Sequence, residues 1–157
     1  MTRAVRWWWG WTAFVLSLAG FGASLYLTVD HFSGIIPICS STGIVNCALV
    51  TTSPQSEVFG VLPVSMLGLL FFTAMVGANL PPLWQVGGEW GRRLVFARLA
   101  MVVVGIGFVF YLIYSELFSI KAICLWCTGV HLATFLLFVL VVATWPAMTA
   151  PPAPEGG

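Results

Sequence analysis

Apolar residues fall in four long blocks along this chain, separated by shorter stretches rich in Gly, Pro, Ser, Arg and Trp. The blocks are Trp7 to Val29, about Gly60 to Leu80, about Leu99 to Ser115, and Cys124 to Trp145. Each is close to the ~20 residues that a helix needs to cross a hydrocarbon core. The pattern predicts an all-α membrane protein with four transmembrane helices, at about 7–29, 60–80, 97–117 and 124–145. One integral membrane domain over 1–148 accounts for them, and the Pro- and Gly-rich remainder, 149–157, has the composition of a disordered tail. The first block follows Arg3 and Arg6, as a signal peptide would. Its apolar run is too long for such a peptide and has no clear small-residue cleavage site, so it reads as a retained helix.

Composition sharpens the class. Of the 157 residues, 60% are hydrophobic and only 7% charged, with a mean hydropathy of +1.02. That leaves too little polar surface for a soluble domain. Six Lys and Arg residues cannot build a phosphate-tracking surface, so nucleic acid is not an expected partner; membrane lipid is.

The basic residues set an orientation. Arg3 and Arg6 precede the first block, and Arg92, Arg93 and Arg98 lie between the second and third; only Lys121 falls on the other side. Positive residues favour the cytoplasmic face, which puts both termini there in a multi-pass protein of the cytoplasmic (inner) membrane. Trp7, Trp8, Trp9, Trp11, Trp84, Trp90 and Trp145 all fall near that boundary, as an aromatic belt would.

All four cysteines then lie on the extracytoplasmic side. Cys39 and Cys47 sit in the long outer loop, His31 to Phe59, joined by a small, polar, Gly-containing connection that lets the two sulfurs meet. Cys124 and Cys127 open the last block as a C-x-x-C pair, where a helix N-terminus favours a thiolate. Helical spacing puts Cys124, Cys127 and His131 on one stripe, above Thr134, Phe135 and Phe138. Ionisable side chains within a membrane helix are costly unless they have work or a partner, which singles out His131. Asp30 and His31 close the first block and read first as solvated interface residues. The separation of Cys39 from Cys47 is wider than in a zinc knuckle, so no metal site is expected.

Two dithiol pairs, one exposed and one embedded, make a relay: thiol–disulfide exchange passes electrons inward through successive mixed disulfides. No haem or iron–sulfur ligand spacing is present to receive them. A quinone of the menaquinone or ubiquinone type, held in an apolar pocket between the outer helix ends, is the expected acceptor.

Ser24-Leu25-Tyr26, Cys39 and Cys47, Val50 with Ser53, Phe59-Gly60 and Cys124-x-x-Cys127, in that order, resemble the vitamin K epoxide reductase family in its bacterial four-helix form, without a fused thioredoxin domain. The resemblance covers roughly Trp11 to Trp145. It implies a four-helix bundle around a quinone, capped by the outer loop and a short half-helix between helices 1 and 2. Carried over by position, Cys39 takes electrons from a partner, Cys47 attacks Cys124, and Cys127 lies against the quinone and reduces it. Phe59 matches a ring over the quinone and Ser53 a serine that steadies the site. His131 falls where the animal enzyme has a tyrosine. Ser56 stands where that enzyme has a quinone-binding asparagine, a departure that favours plain quinone reduction over epoxide reduction.

The resulting expectation is a quinone-dependent thiol oxidase that reoxidises an extracytoplasmic, thioredoxin-fold thiol oxidase of the DsbA type. Two alternatives stand beside it: vitamin K quinone or epoxide reduction as the main role, and a non-catalytic membrane adaptor whose disulfides are structural. The DsbB scaffold carries similar chemistry but places its C-x-x-C pair in the first loop, unlike this chain.

Overall fold

A computed structural model describes residues 3–39, 43–58 and 61–149. Its frame is four helices: α1 (Arg3–Ser33), α3 (Val64–Ala78), α4 (Gly88–Tyr114) and α5 (Leu125–Thr149). A five-residue α2 (Cys47–Thr51) lies between α1 and α3. Of these, α1, α5 and α4 with its continuation to Ile120 are long and apolar enough to cross a membrane. Helix α3, apolar but 15 residues long, is shorter than the ~20-residue crossing length.

The packing follows from a stripe of small residues on α1. Gly10, Ala13, Ser17, Gly20, Ser24 and Leu27 recur at alternating three- and four-residue steps, and all are buried. Without bulky side chains at these positions, neighbouring helices approach closely. Any Cβ at Gly20 would collide with the Phe72 ring of α3, and one at Gly68 would meet Ser24 Oγ at 3.0 Å. Helix α1 thus lies between α3 and α5, while α4 packs on α5 and closes onto α3. Ala13, Phe72, Met75, Val102, Ala133 and Leu137 fill the centre.

The helix ends that carry Arg92, Arg93 and Arg98 depart from the sequence expectation. Helix α4 begins at Gly88, ahead of the expected position, so Arg92, Arg93 and Arg98 are helical rather than loop residues. Arg98 is buried. It donates from Nε (3.0 Å) and Nη2 (2.7 Å) to the Ala78 carbonyl that ends α3, with its guanidinium 4.5 Å from the Trp84 ring centroid. A cation at a helix C-terminus complements the exposed carbonyls and the helix dipole. Trp84 is therefore core rather than belt, only 1% exposed and in contact range of Gly10. Asn79 follows α3 and donates to Ser17 Oγ on α1 at 3.1 Å.

On the other side, α3 starts at Val64 rather than near residue 60, because Glu57–Val58 pairs antiparallel with Leu62–Pro63 and takes those residues out of the helix. Pro63 accordingly precedes the helix as its N-cap. Helix α4 widens into a π-helical turn, Ser115–Ile120, and stops at Lys121, whose φ of 59° is left-handed. The 149–157 tail falls, beyond Thr149, outside the described residues.

Candidate functional site

Cys39 and Cys47 form a disulfide, while Cys124 and Cys127 are free thiols. Asn46 sets up Cys47: its side chain accepts from Leu49 N at 3.0 Å, capping α2 so that Cys47 is the first helical residue. The segment before α2 also pairs with the segment before α5. Val45 and Ile123 make a parallel bridge, with Asn46 N donating to Ile123 O (3.0 Å) and Ile123 N donating to Ile44 O (2.9 Å). That bridge brings the two pairs together. Cys47 and Cys124, 1% and 0% exposed, share one buried cluster with Val50 and Ala122, against which Cys39, Ile120 and Cys127 pack.

Cys124 stands immediately before α5, in the role of a cap. Its carbonyl accepts from Thr128 N at 2.9 Å, and its sulfur accepts from Cys127 N at 3.4 Å. Hydrogen bonding from the Cys127 thiol pulls the Cys124 thiol down to about 7; burial opposes this, and the backbone N–H groups of Cys127 and Trp126 assist. A lowered pKa means that the thiolate persists to lower pH than in an ordinary cysteine, whose pKa is about 8.5. In a protein with both loop cysteines replaced by serine, the first rise in thiolate absorbance is therefore expected to be centred near pH 7. A first inflection near the ordinary cysteine value would show that hydrogen bonding from the Cys127 thiol does not stabilise this thiolate.

Beside Cys127, a cavity of ≈ 340 Å³ opens between the helices. Its wall is mostly apolar, with Phe71, Phe72, Phe108, Val104, Val109 and Leu112 prominent. Cys127 lines it; Cys39, Cys47 and Cys124 do not. His131 and Thr134 follow Cys127 down the same wall, as the helical stripe predicted, whereas Phe135 points away and is 48% exposed. Ser53 and Ser56 line the cavity with Val50, but their hydroxyls are already donating, Ser53 Oγ to Val50 O (2.8 Å) and Ser56 Oγ to Ser53 O (2.7 Å). Phe59 lies outside the described residues.

Three further polar groups of this wall were given no site role from the sequence. Ser24 Oγ on α1 and Ser65 Oγ on α3 are buried with no hydrogen-bond partner, and both residues line the cavity. Glu116 is buried in the same wall within the π-helical turn. His31 reaches the cavity from α1, while Asp30 borders a second, neighbouring cavity that His31 shares. No cluster of metal-ligating side chains occurs among the described residues.

An apolar cavity with a few convergent polar groups is the usual form of a small-molecule site. The residues present fit a quinone: ring-stacking aromatics, orphaned hydroxyls for carbonyl oxygens, and one thiol in the wall. Compared with known protein families, the chain matches the sequence model described as "Vitamin K epoxide reductase family" over residues 11–142. No curated protein matches it.

Proposed function

This chain belongs to the vitamin K epoxide reductase family, a family that implies a quinone-linked oxidoreductase, and on that premise we propose that it is a thiol:quinone oxidase that generates disulfides outside the cytoplasm. The observation that carries the reading is the order of the sulfurs: an outer disulfide, then Cys47 buried beside Cys124, then Cys127 in the wall of the apolar cavity. Four crossings, with α3 and its flanking residues as the short one, bring both termini to the cytoplasm and the cysteines to the opposite face. The electron donor is a reduced, thioredoxin-fold partner of the DsbA type.

The relay needs only thiol–disulfide exchange. A partner thiolate attacks Cys39 Sγ, breaking its bond to Cys47 and releasing the Cys47 thiolate. Cys47 attacks Cys124 of the oxidised inner pair, and the Cys127 thiolate leaves toward the cavity. The partner's second thiolate displaces Cys39, completing the partner's disulfide. Cys39 then attacks Cys47, restoring the outer disulfide and freeing the Cys124 thiolate. One such round leaves the outer pair oxidised and the inner pair reduced, with Cys127 at the cavity. A quinone bound there supplies the two-electron, two-proton acceptor that returns the inner pair to a disulfide.

Within the cavity, Ser24 and Ser65 have hydroxyl protons free to donate, and His131 adds an imidazole N–H one turn from Cys127. Ser53 and Ser56 hold the α2 turn that forms the outer wall. With serine rather than an amide at position 56, plain quinone reduction is favoured over epoxide reduction. Detergent-purified protein incubated with a reduced thioredoxin-fold oxidase and a soluble quinone tests the proposal. Stoichiometric quinol and partner disulfide are expected; partner disulfide without quinol would remove the quinone from the reading, and neither product would leave the structural adaptor.

His131→Phe is expected to slow quinone reduction and raise the apparent KM for quinone, while exchange at Cys39–Cys47 stays fast. A single well-placed donor is worth about 10²–10³ in rate, but three donors share this wall, so about tenfold is expected. Unchanged quinone kinetics in stopped-flow measurements would make the imidazole a packing group.

A further inference from the structure

Each loop cysteine is preceded by a residue hydrogen-bonded to the residue that precedes an inner cysteine. Asn46, before Cys47, donates its N–H to the carbonyl of Ile123, before Cys124, at 3.0 Å. Ile38, before Cys39, accepts at its carbonyl from Nε1 of Trp126, before Cys127, at 3.1 Å. The Ile38 N–H in turn donates to the Tyr26 hydroxyl at 3.0 Å, and the rings of Tyr26 and Trp126 meet with centroids 4.6 Å apart.

These two tethers differ in kind. The one at Asn46 is main chain to main chain, part of a bridge, and its cysteines are buried. The one at Ile38 is made by two side chains on a residue that is 85% exposed, with Trp126 itself 37% exposed. It can open by side-chain movement alone, leaving the bridge and every helix intact. Cys39 is also the less buried of the two loop cysteines.

We propose that Tyr26 and Trp126 are positioning residues of the relay: a releasable clamp on the Ile38 peptide that seats Cys39 beside Cys47 when closed and yields it to the partner when open. The inference rests on the relay described above. Two steps make opposite demands on Cys39. Capture requires a partner thiolate to approach Cys39 Sγ in line with the bond to Cys47 as that bond breaks. Closure requires the freed Cys39 thiolate to return and attack Cys47, releasing Cys124. The fixed tether keeps Cys47 with Cys124 throughout, so only Cys39 has to move.

Trp126→Phe keeps a ring against Tyr26 and removes the indole donor; Tyr26→Phe keeps its ring and removes the acceptor. Two rates separate positioning from folding. Reduction of Cys39–Cys47 by dithiothreitol is expected to rise about fivefold in either variant, the population shift of one lost hydrogen bond. Under turnover with a reduced thioredoxin-fold oxidase and a soluble quinone, the Cys47–Cys124 mixed disulfide, located by peptide mass mapping, is expected to accumulate as closure slows. Both rates unchanged, or both reduced together with a lower thermal midpoint, would overturn the clamp. If the parental protein passes no electrons from the loop pair to the inner pair, the relay itself fails, and the same mapping shows it.

Discussion

Replacing Cys127 with serine is expected to abolish quinone reduction while the Cys39–Cys47 disulfide still forms and still exchanges with a reduced partner. Cys127 is the one cysteine, all four being among the described residues, whose side chain lines the apolar cavity. A serine hydroxyl in its place neither forms a disulfide with Cys124 nor carries a thiolate, so the last transfer has no donor. A loss of about 10³-fold or more is expected, against which the His131 effect is small. Quinone reduction followed beside a single round of partner oxidation checks it. The first should fall to the uncatalysed rate, and the second should remain. Quinone turnover at the parental rate in Cys127→Ser would mean that the acceptor lies elsewhere, for instance against the loop pair.

The second large effect belongs to Cys47. In a Cys47→Ser variant, Cys39 is left with no intramolecular partner in the outer loop. A mixed disulfide between Cys39 and the soluble partner then accumulates, because the thiol that would carry the electrons inward is gone. The expectation rests on its neighbours: Cys47 is 1% exposed and packs with Cys124, whereas Cys39 is only partly buried. Non-reducing electrophoresis of the variant with a reduced thioredoxin-fold oxidase should show most of the protein in the linked form. Trapping with Cys39→Ser instead would reverse the order of the two loop cysteines.

Hydropathy made the long helices readable, because lipid-exposed and buried faces are both apolar in a membrane protein and only length matters. The same fact hid the side-chain directions. Phe135 and Leu137 look equivalent in sequence, yet Phe135 is 48% exposed and Leu137 fully buried. The cysteines were legible for a different reason: chemistry-bearing residues segregated to one side carry information that packing residues do not. Glu116, Ser24 and Ser65 escaped notice because their burial in the cavity wall depends on the π-helical turn and on the close approach of α1 to α3. Trp84 and Arg98 looked like a boundary aromatic and a loop cation, but together they close the end of α3. The pairing of Val45 with Ile123 joins segments distant in sequence, and no local pattern in either announces it.

That pairing also dictates when the protein becomes competent during its synthesis. Chains are made from the N-terminus, so the outer loop emerges well before Ile123 does. Cys39 and Cys47, close in sequence, can meet as soon as their loop is exposed. Their anchorage to the inner pair has to wait for the segment between α4 and α5. An immature chain thus holds the loop disulfide before the segment that carries the inner pair has been made. Completion of the last helix, rather than formation of the first disulfide, is the event that connects the two halves.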